Sequence, residues 1–183
     1  MQDAQRLRLA VAMAEEMVES GYVGTPVAAV LKRAGVSRQT FYELYEDKHA
    51  CFLDALDLVG AVLLADLRER APAGPPLARA RGAVEAYLDT IGRHRAFARL
   101  YLVEVHAAGN QAMARRAALQ EEVVDGLADL LGATSVAGRF ACRAYVAAVA
   151  SLVTLPVVTG DGAALEELRV PLLGMLEDLV ERV

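Results

Sequence analysis

The sequence predicts an all-α protein, on three observations. Apolar residues recur three and four positions apart through successive segments of the 183-residue chain. No segment alternates convincingly at period two, so no strands are expected. Helix starts and stops punctuate the chain, with Ser37 and Asp47 placed as caps and Gly35 and Gly109 as terminators. Together these give about nine helices: a small N-terminal three-helix head and a larger helical bundle.

The bulk numbers agree with that class. Hydrophobic residues make up 55% of the chain and charged ones 23%, with a net charge of −5 and no Trp. The length suits one substantial domain, or a small head fused to a larger body. Two cysteines, Cys51 and Cys142, make no disulfide framework and suit a reducing compartment. Residues 1–20 carry acids every few positions along a helical stripe, unlike a secretory leader, so a cytoplasmic location is expected. The longest uncharged run, Ala144 to Gly160, contains Ser151, Thr154 and Pro156. It falls short of the roughly 20 residues that span a bilayer and reads as a buried or interface helix, so no membrane partner is expected.

Taken in order, residues 2 to about 20 form the first helix. Leu7, Val11, Ala14 and Val18 hold its apolar spacing, and Leu9, Ala10, Met13 and Met17 broaden it. Gly21 is expected to stop it, with Tyr22 and Val23 packing under the second helix. Thr25 suits an N-cap and Pro26 the first helical position. Val27, Val30, Leu31 and Ala34 then repeat at helical spacing. Gly35 can take the left-handed conformation that closes a helix, and Ser37 can cap the next. In that third helix Phe41, Leu44 and Tyr45 point inward, while Arg38, Gln39, Tyr42 and Glu43 face away. Asp47 caps a fourth helix from Lys48 to about Arg70, with Phe52, Leu53, Leu56, Val59, Leu63 and Leu67 inward. Ala71 to Pro76 (APAGPP) cannot continue a helix and marks the best boundary. Beyond it helices are expected at about 77–93, 95–107, 111–131, 135–158 and 163–182.

The stretch from Thr25 to Lys48 is a helix-turn-helix with Arg38 and Gln39 at the N-terminal end of its second helix. That placement has chemical meaning. A recognition helix enters the major groove with its first turn nearest the base edges. Arg grips O6 and N7 of guanine with two hydrogen bonds, and Gln does so with N6 and N7 of adenine. Ser37, Thr40 and Tyr42 carry hydroxyls suited to phosphate oxygens, and Lys48 stands where it can meet a phosphate. The alternative is an ordinary helical hairpin in a bundle. Charge alone does not separate the two, since six bases face seven acids through Lys48. Lys32, Arg33 and Arg38 nevertheless cluster around the corner with no acid between Glu19 and Glu43.

Thr25-Pro26-Val27, Val30, Ala34-Gly35-Val36-Ser37, Thr40-Phe41-Tyr42, Tyr45 and Lys48 resemble the N-terminal signature of TetR/AcrR-type transcriptional regulators. The resemblance covers roughly residues 6 to 58. It implies double-stranded operator DNA as a partner, with Thr25, Ser37, Arg38, Gln39, Thr40, Tyr42 and Lys48 at the interface. One position departs from the pattern: Leu31 stands where a small residue, often Ala, is usual. The resemblance further implies a division into a DNA-binding domain, residues 1–47, and a ligand-binding and dimerisation domain, residues 48–183. The last two helices would pair with those of a second copy as a four-helix bundle. Small residues there (Ala141, Ala144, Ala147, Ala148, Ser151) permit close approach, and Tyr145, Val149, Leu152 and Leu155 provide area. Leu165, Leu168, Leu172, Leu173, Leu176, Leu179 and Val180 line the final helix on more than one side, which calls for cover on two sides. A small ligand would lie among the middle helices, where Phe97, Tyr101, Glu104, His106 and Tyr145 are the candidate lining.

These readings converge on a homodimeric repressor released from a palindromic operator by a small apolar or aromatic effector. The alternative is a helical adaptor that binds protein only. Catalysis finds little support. His49, His94 and His106 lie apart, His49-Ala50-Cys51 lacks partners at metal-ligand spacing, and there is no Gly-rich phosphate loop. Glu121-Glu122 and Glu166-Glu167 read as solvated faces. Neither cofactor nor metal is expected.

Overall fold

The computed structural model describes residues 2–70 and 73–183, and no strand occurs among them. The helices are α1 (Gln2–Gly24), α2 (Val27–Ala34), α3 (Arg38–Leu44), α4 (Lys48–Arg70) and α5 (Pro76–Arg93). Then α6 (Arg95–Arg99) runs through a π turn (Leu100–Glu104) into α7 (Val105–Ala107). They are followed by α8 (Asn110–Leu131), α9 (Val136–Thr159), α10 (Gly162–Glu167) and α11 (Arg169–Val180). With α6, the π turn and α7 taken as one helix, and α10 and α11 as one broken helix, nine are found among the described residues. The all-α expectation holds. The first part of the expected APAGPP boundary, Ala71 and Pro72, lies outside the described residues.

The chain divides into two compact units, each with its own core. One takes in the chain up to Ala61 together with Ala96–Arg116, and the other Val62–Arg95 with Ala117–Val183. In the first, Leu9, Met13 and Met17 of α1, Val30 of α2, Phe41 of α3 and Phe52 of α4 are withdrawn from water completely. Leu100 and Val105, far along the chain, are equally buried in this unit. Each such side chain contributes about 1.5–3 kcal/mol by leaving water.

Two sequence expectations for α1 are corrected. Its buried stripe runs through Leu9, Ala10, Met13, Ala14 and Met17, while Leu7 and Val18 lie exposed. The apolar band is wider than one face, and the positions spaced four apart from Leu9 win the core. The helical backbone does break at Gly21, as expected, and one short further turn follows to Gly24. Gly21 sits at φ 65°, ψ 173°, a combination essentially reserved for glycine. Val23, expected to pack, is 80% exposed. Tyr22 lies edge-on to Phe52 with ring centroids 5.1 Å apart.

The kink frees the Tyr22 N–H, and a distant residue accepts it. Glu104, on the π turn, takes that N–H at 2.7 Å and the Arg99 Nε–H at 3.0 Å. Its carboxylate is 5% exposed and lies where a Cβ on Gly21 would meet Glu104 Oε2 at 3.3 Å. A buried carboxylate is tolerable only when hydrogen-bonded and paired, and both conditions are met here.

In the second unit, α5 contributes Ala80, Leu88 and Ile91, α8 Val124 and Ala128, α9 Cys142 and Val153, and the last two helices Leu165, Leu172 and Leu176. Arg169 bonds to Asp89 at 2.9 Å and to Glu166, fastening α11 to α5. The expected final helix breaks at Leu168, because Pro171 offers no N–H and its ring crowds the carbonyl four residues back. Two interface expectations also change. Tyr145 and Val149 turn inward, the Tyr145 hydroxyl donating to the Leu172 carbonyl at 3.0 Å, and Leu165, Leu172, Leu173, Leu176 and Leu179 are buried within the chain. The outward face of α9 keeps the expected Ala144, Ala147, Ser151, Leu152 and Leu155 and adds Phe140 and Val158. Among the described residues α9 is the one helix long and apolar enough to cross a membrane.

Two glycine substitutions separate these backbone demands. Gly35 is also left-handed, at φ 62°, ψ 38°, but nothing lies within 4 Å of a Cβ placed there. Gly35→Ala should cost about 1 kcal/mol, and Gly21→Ala about 2–3 kcal/mol, since it adds a Glu104 contact to a conformation closed to alanine. Chemical unfolding of both variants checks this, and equal losses would contradict the role given to the kink.

Candidate nucleic-acid interface

The helix-turn-helix forms as its residues direct. Gly35 closes α2 in the left-handed conformation, its N–H and that of Val36 both bonding to the Leu31 carbonyl. Ser37 caps α3, accepting the Thr40 N–H at 3.0 Å, and its hydroxyl lies 2.9 Å from that of Thr40. Leu31, the departure from the usual small residue, is 9% exposed and packs into the core with Val30 and Ala34. Phe41 is fully buried and stacks edge-on with Tyr42 and tilted against Tyr45. The Tyr45 hydroxyl donates to Asp54 of α4, which also pairs with Arg6 of α1 at 3.3 Å. Burial, and then the hydrogen bond to Asp54, push the Tyr45 pKa far up. Asp47 caps α4 by accepting the Ala50 N–H at 2.7 Å, as expected.

With that face held, the opposite face of α3 is presented to solvent. Arg38, Gln39 and Tyr42 are exposed. The Arg38 guanidinium lies 5.4 Å from the Tyr42 ring centroid, a cation–π contact that leaves its donor edge free. Gln39 Nε2 donates to Glu43 at 2.9 Å, a bond that has to open before Gln39 reads a base. Ser37, Arg38, Gln39, Thr40 and Tyr42 therefore come together on one helical end.

The other predicted contacts are placed differently. Thr25 is 1% exposed and its hydroxyl donates to the Gly21 carbonyl at 2.7 Å, while Pro26 holds the N-cap position of α2. The expected Thr25 cap is thus corrected: the Thr25 hydroxyl turns back to the Gly21 carbonyl, which also accepts its backbone N–H at 3.1 Å, and the side chain is withdrawn from the surface. Lys48 Nζ donates to the carbonyls of Tyr22 at 2.8 Å and Thr25 at 3.1 Å, and lies 4.5 Å from the Tyr22 ring centroid. Burial lowers its pKa. Arg33, grouped above with Lys32 and Arg38, pairs with Glu16 at 2.5 Å, Glu15 at 3.2 Å and Glu19 at 3.7 Å. Arg33 is exposed but its charge is paired with α1, which leaves Lys32 and Arg38 as the exposed corner cations outside any ion pair among the described residues.

The candidate ligand residues are divided between the two compact units. Phe97, Tyr101, Glu104 and His106 share a compact unit, to which Tyr145 does not belong. His106 is exposed, and Glu104 serves the Gly21 kink. Tyr101 is buried beneath the Arg116 guanidinium, at 5.4 Å. The sequence reading missed the structural duty of Glu104. A signal existed, since a lone acid in the apolar run Leu100–Val105 needs a partner.

Residues 9–55 match the family model of bacterial regulatory proteins, tetR family. Over this segment the chain is similar to the tetR family. Proteins of this family are DNA-binding transcriptional regulators and not enzymes. The tetR-type fold extends over nearly the whole chain. A transcriptional regulator from Rhodococcus sp. Rha1 is 24% identical and superposes with a TM-score of 0.81 over 96% of each chain. The fatty acid degradation regulator FadR from Bacillus halodurans is 17% identical, with a TM-score of 0.80 over 92% of this chain and 96% of that one. FadR from Bacillus subtilis, solved in complex with stearoyl-CoA, is 16% identical, with a TM-score of 0.79 over 93% and 96%. At such identities the likeness establishes the fold. No curated protein sequence matches the chain.

The position of Lys48 makes a testable statement about the helix-turn-helix head without DNA. Lys48→Met removes two charge-assisted hydrogen bonds to backbone carbonyls and should lower the stability of the free protein by about 1–2 kcal/mol. Thermal unfolding without DNA checks it, and an unchanged midpoint would mean that these bonds contribute nothing.

Proposed function

We propose that this tetR-family regulator is a cytoplasmic repressor that binds a palindromic operator as a homodimer and is released by a small, largely apolar effector. In this reading residues 1–47 are the DNA-binding domain and residues 48–183 the ligand-binding and dimerisation domain. The observation that carries it is the exposed α3 tip, where Arg38 and Gln39 stand clear of a face anchored by Phe41 and Tyr45. Arg and Gln at the start of a recognition helix are the side chains that read guanine and adenine edges. Ser37, Thr40 and Tyr42 supply hydroxyls for phosphate. Lys48 acts on phosphate with whatever donor capacity the Tyr22 and Thr25 carbonyls leave it.

Two half-sites need two heads, and the outward face of α9 supports pairing. Phe140 is 69% exposed and Leu155 67%, with Ala144, Ala147 and Ser151 between them. Exposed apolar surface of this kind marks an interface, and the small residues let two helices approach closely. For the effector, the support is the apolar character of the middle helices, and the fold shared with a FadR that holds stearoyl-CoA. The mechanism is a population shift: effector favours a conformer in which α4 tilts and the two heads no longer match the half-site spacing. Such a ligand acts only through unequal affinity for the two states.

Selection of bound duplexes from a random pool tests DNA binding and symmetry together, and a palindrome is expected. Arg38→Ala should weaken binding to the selected duplex by about 1–3 kcal/mol and relax base preference. Equal losses on selected and random duplexes would count against base readout. Leu155→Glu should turn a dimer into a monomer in sedimentation at micromolar concentration, and a stable monomer of the unaltered chain would remove the dimer.

A further inference from the structure

We propose that Arg116 and Tyr101 form the anchor for a carboxylate, the single anionic group of an otherwise apolar small molecule, which rests on the ligand-responsive reading above and names the polar end of that ligand. Among the buried side-chain nitrogens and oxygens of the described residues, Arg116 Nε stands without a hydrogen-bond partner. Its neighbours in the chain and the fold are spent. Arg115 pairs with Asp57, and Arg99 with Glu104 at 3.0 Å. No carboxylate among the described residues pairs with Arg116.

Arg116 as a whole is half-buried, but a buried donor nitrogen without an acceptor is costly, and native structures rarely leave one without cause. The surroundings of Arg116 say what would satisfy it. Its guanidinium carbon lies 5.4 Å from the Tyr101 ring centroid, so the aromatic face supports the cation from one side. Guanidinium donors lie in the plane of the group, and that contact leaves the donor edge to an acceptor oxygen. Tyr101 is 7% exposed, and burial raises its pKa, so its hydroxyl stays a donor. One uncompensated positive charge matches a monoanion, whereas a dianionic phosphate would leave negative charge unpaired. The rest of the molecule is taken to be apolar, because the residues flanking Tyr101 along this stretch, Leu100, Leu102 and Val105, are buried and apolar and Glu104 is already engaged.

The placement also gives the anchor a line to the head. Tyr101 and Glu104 belong to the same π turn, which directs four of its five residues inward. Such turns are uncommon inside helices and recur at functional sites. A carboxylate drawn to Tyr101 and Arg116 therefore acts on the turn whose last residue receives the Tyr22 N–H.

Calorimetric titration of the full chain with decanoate and with decan-1-ol, equal in tail and different in head, tests the anchor. Decanoate should bind more tightly, with an affinity that falls as salt rises. Arg116→Met should weaken decanoate more than tenfold and leave decan-1-ol unchanged, and Tyr101→Phe, which keeps the ring, should produce a smaller loss confined to decanoate. Should Arg116→Met fail to fold, Arg116→Lys replaces it, with weaker decanoate binding and unaltered decan-1-ol binding expected. Equal binding of the two probes, no binding of decanoate, or indifference of decanoate to the Arg116 substitution would each overturn the anchor. Gel-shift assays on the selected duplex with the same samples keep the two readings apart. A chain that binds DNA but not decanoate loses the anchor and remains a regulator, and one that binds decanoate but no DNA does the reverse.

Discussion

A seven-residue helix cannot hold itself together in water, and the recognition helix α3 is one. Nucleation of so short a helix costs more than its few internal hydrogen bonds return. Its existence depends on Phe41, wholly buried, and on Tyr45, whose hydroxyl reaches Asp54. Ser37 and Gly35 set where the helix begins and at what angle the chain enters it, but burial is what keeps it folded. Arg38 and Gln39 project outward only because Phe41 projects inward.

The polar groups of the head divide between those spent inside the protein and those left for a partner. Arg33 is held by three glutamates of α1, Lys48 by two backbone carbonyls, Glu104 by Tyr22 and Arg99. Arg38 and Lys32 stay exposed at the corner. A chain of net charge −5 can thus carry a small, well-placed positive tip. With few cations free, the proposed binding to DNA would lean less on counterion release and more on base contacts and on the proposed pairing of two heads.

The kink at Gly21 shows how local geometry creates distant obligations. A glycine-only backbone conformation leaves the Tyr22 N–H to Glu104, while the Gly21 carbonyl accepts both the backbone N–H and the hydroxyl of Thr25. The carboxylate arrives from a π turn over eighty residues further on, which is why Ala96–Arg116 belongs to the same compact unit as the head. A change in that turn has a direct hydrogen-bonded route to the C-terminal end of α1.

The helices, their caps at Ser37 and Asp47, the glycine corner and the outward set on α3 were all legible in the sequence, because each is decided by neighbours within four residues. Apolar spacing also showed which segments are helices, but not always which side of a broad stripe faces in: Leu7 and Val18 lost the core to Leu9 and Met17, and Tyr145 and Val149 turned inward while Phe140 was left outside. Tertiary structure alone decided the partners of Thr25, Lys48, Arg33, Glu104 and Arg116. Hydrogen bonds and ion pairs over long sequence separations depend on where whole helices come to rest, and no local pattern of residues encodes that.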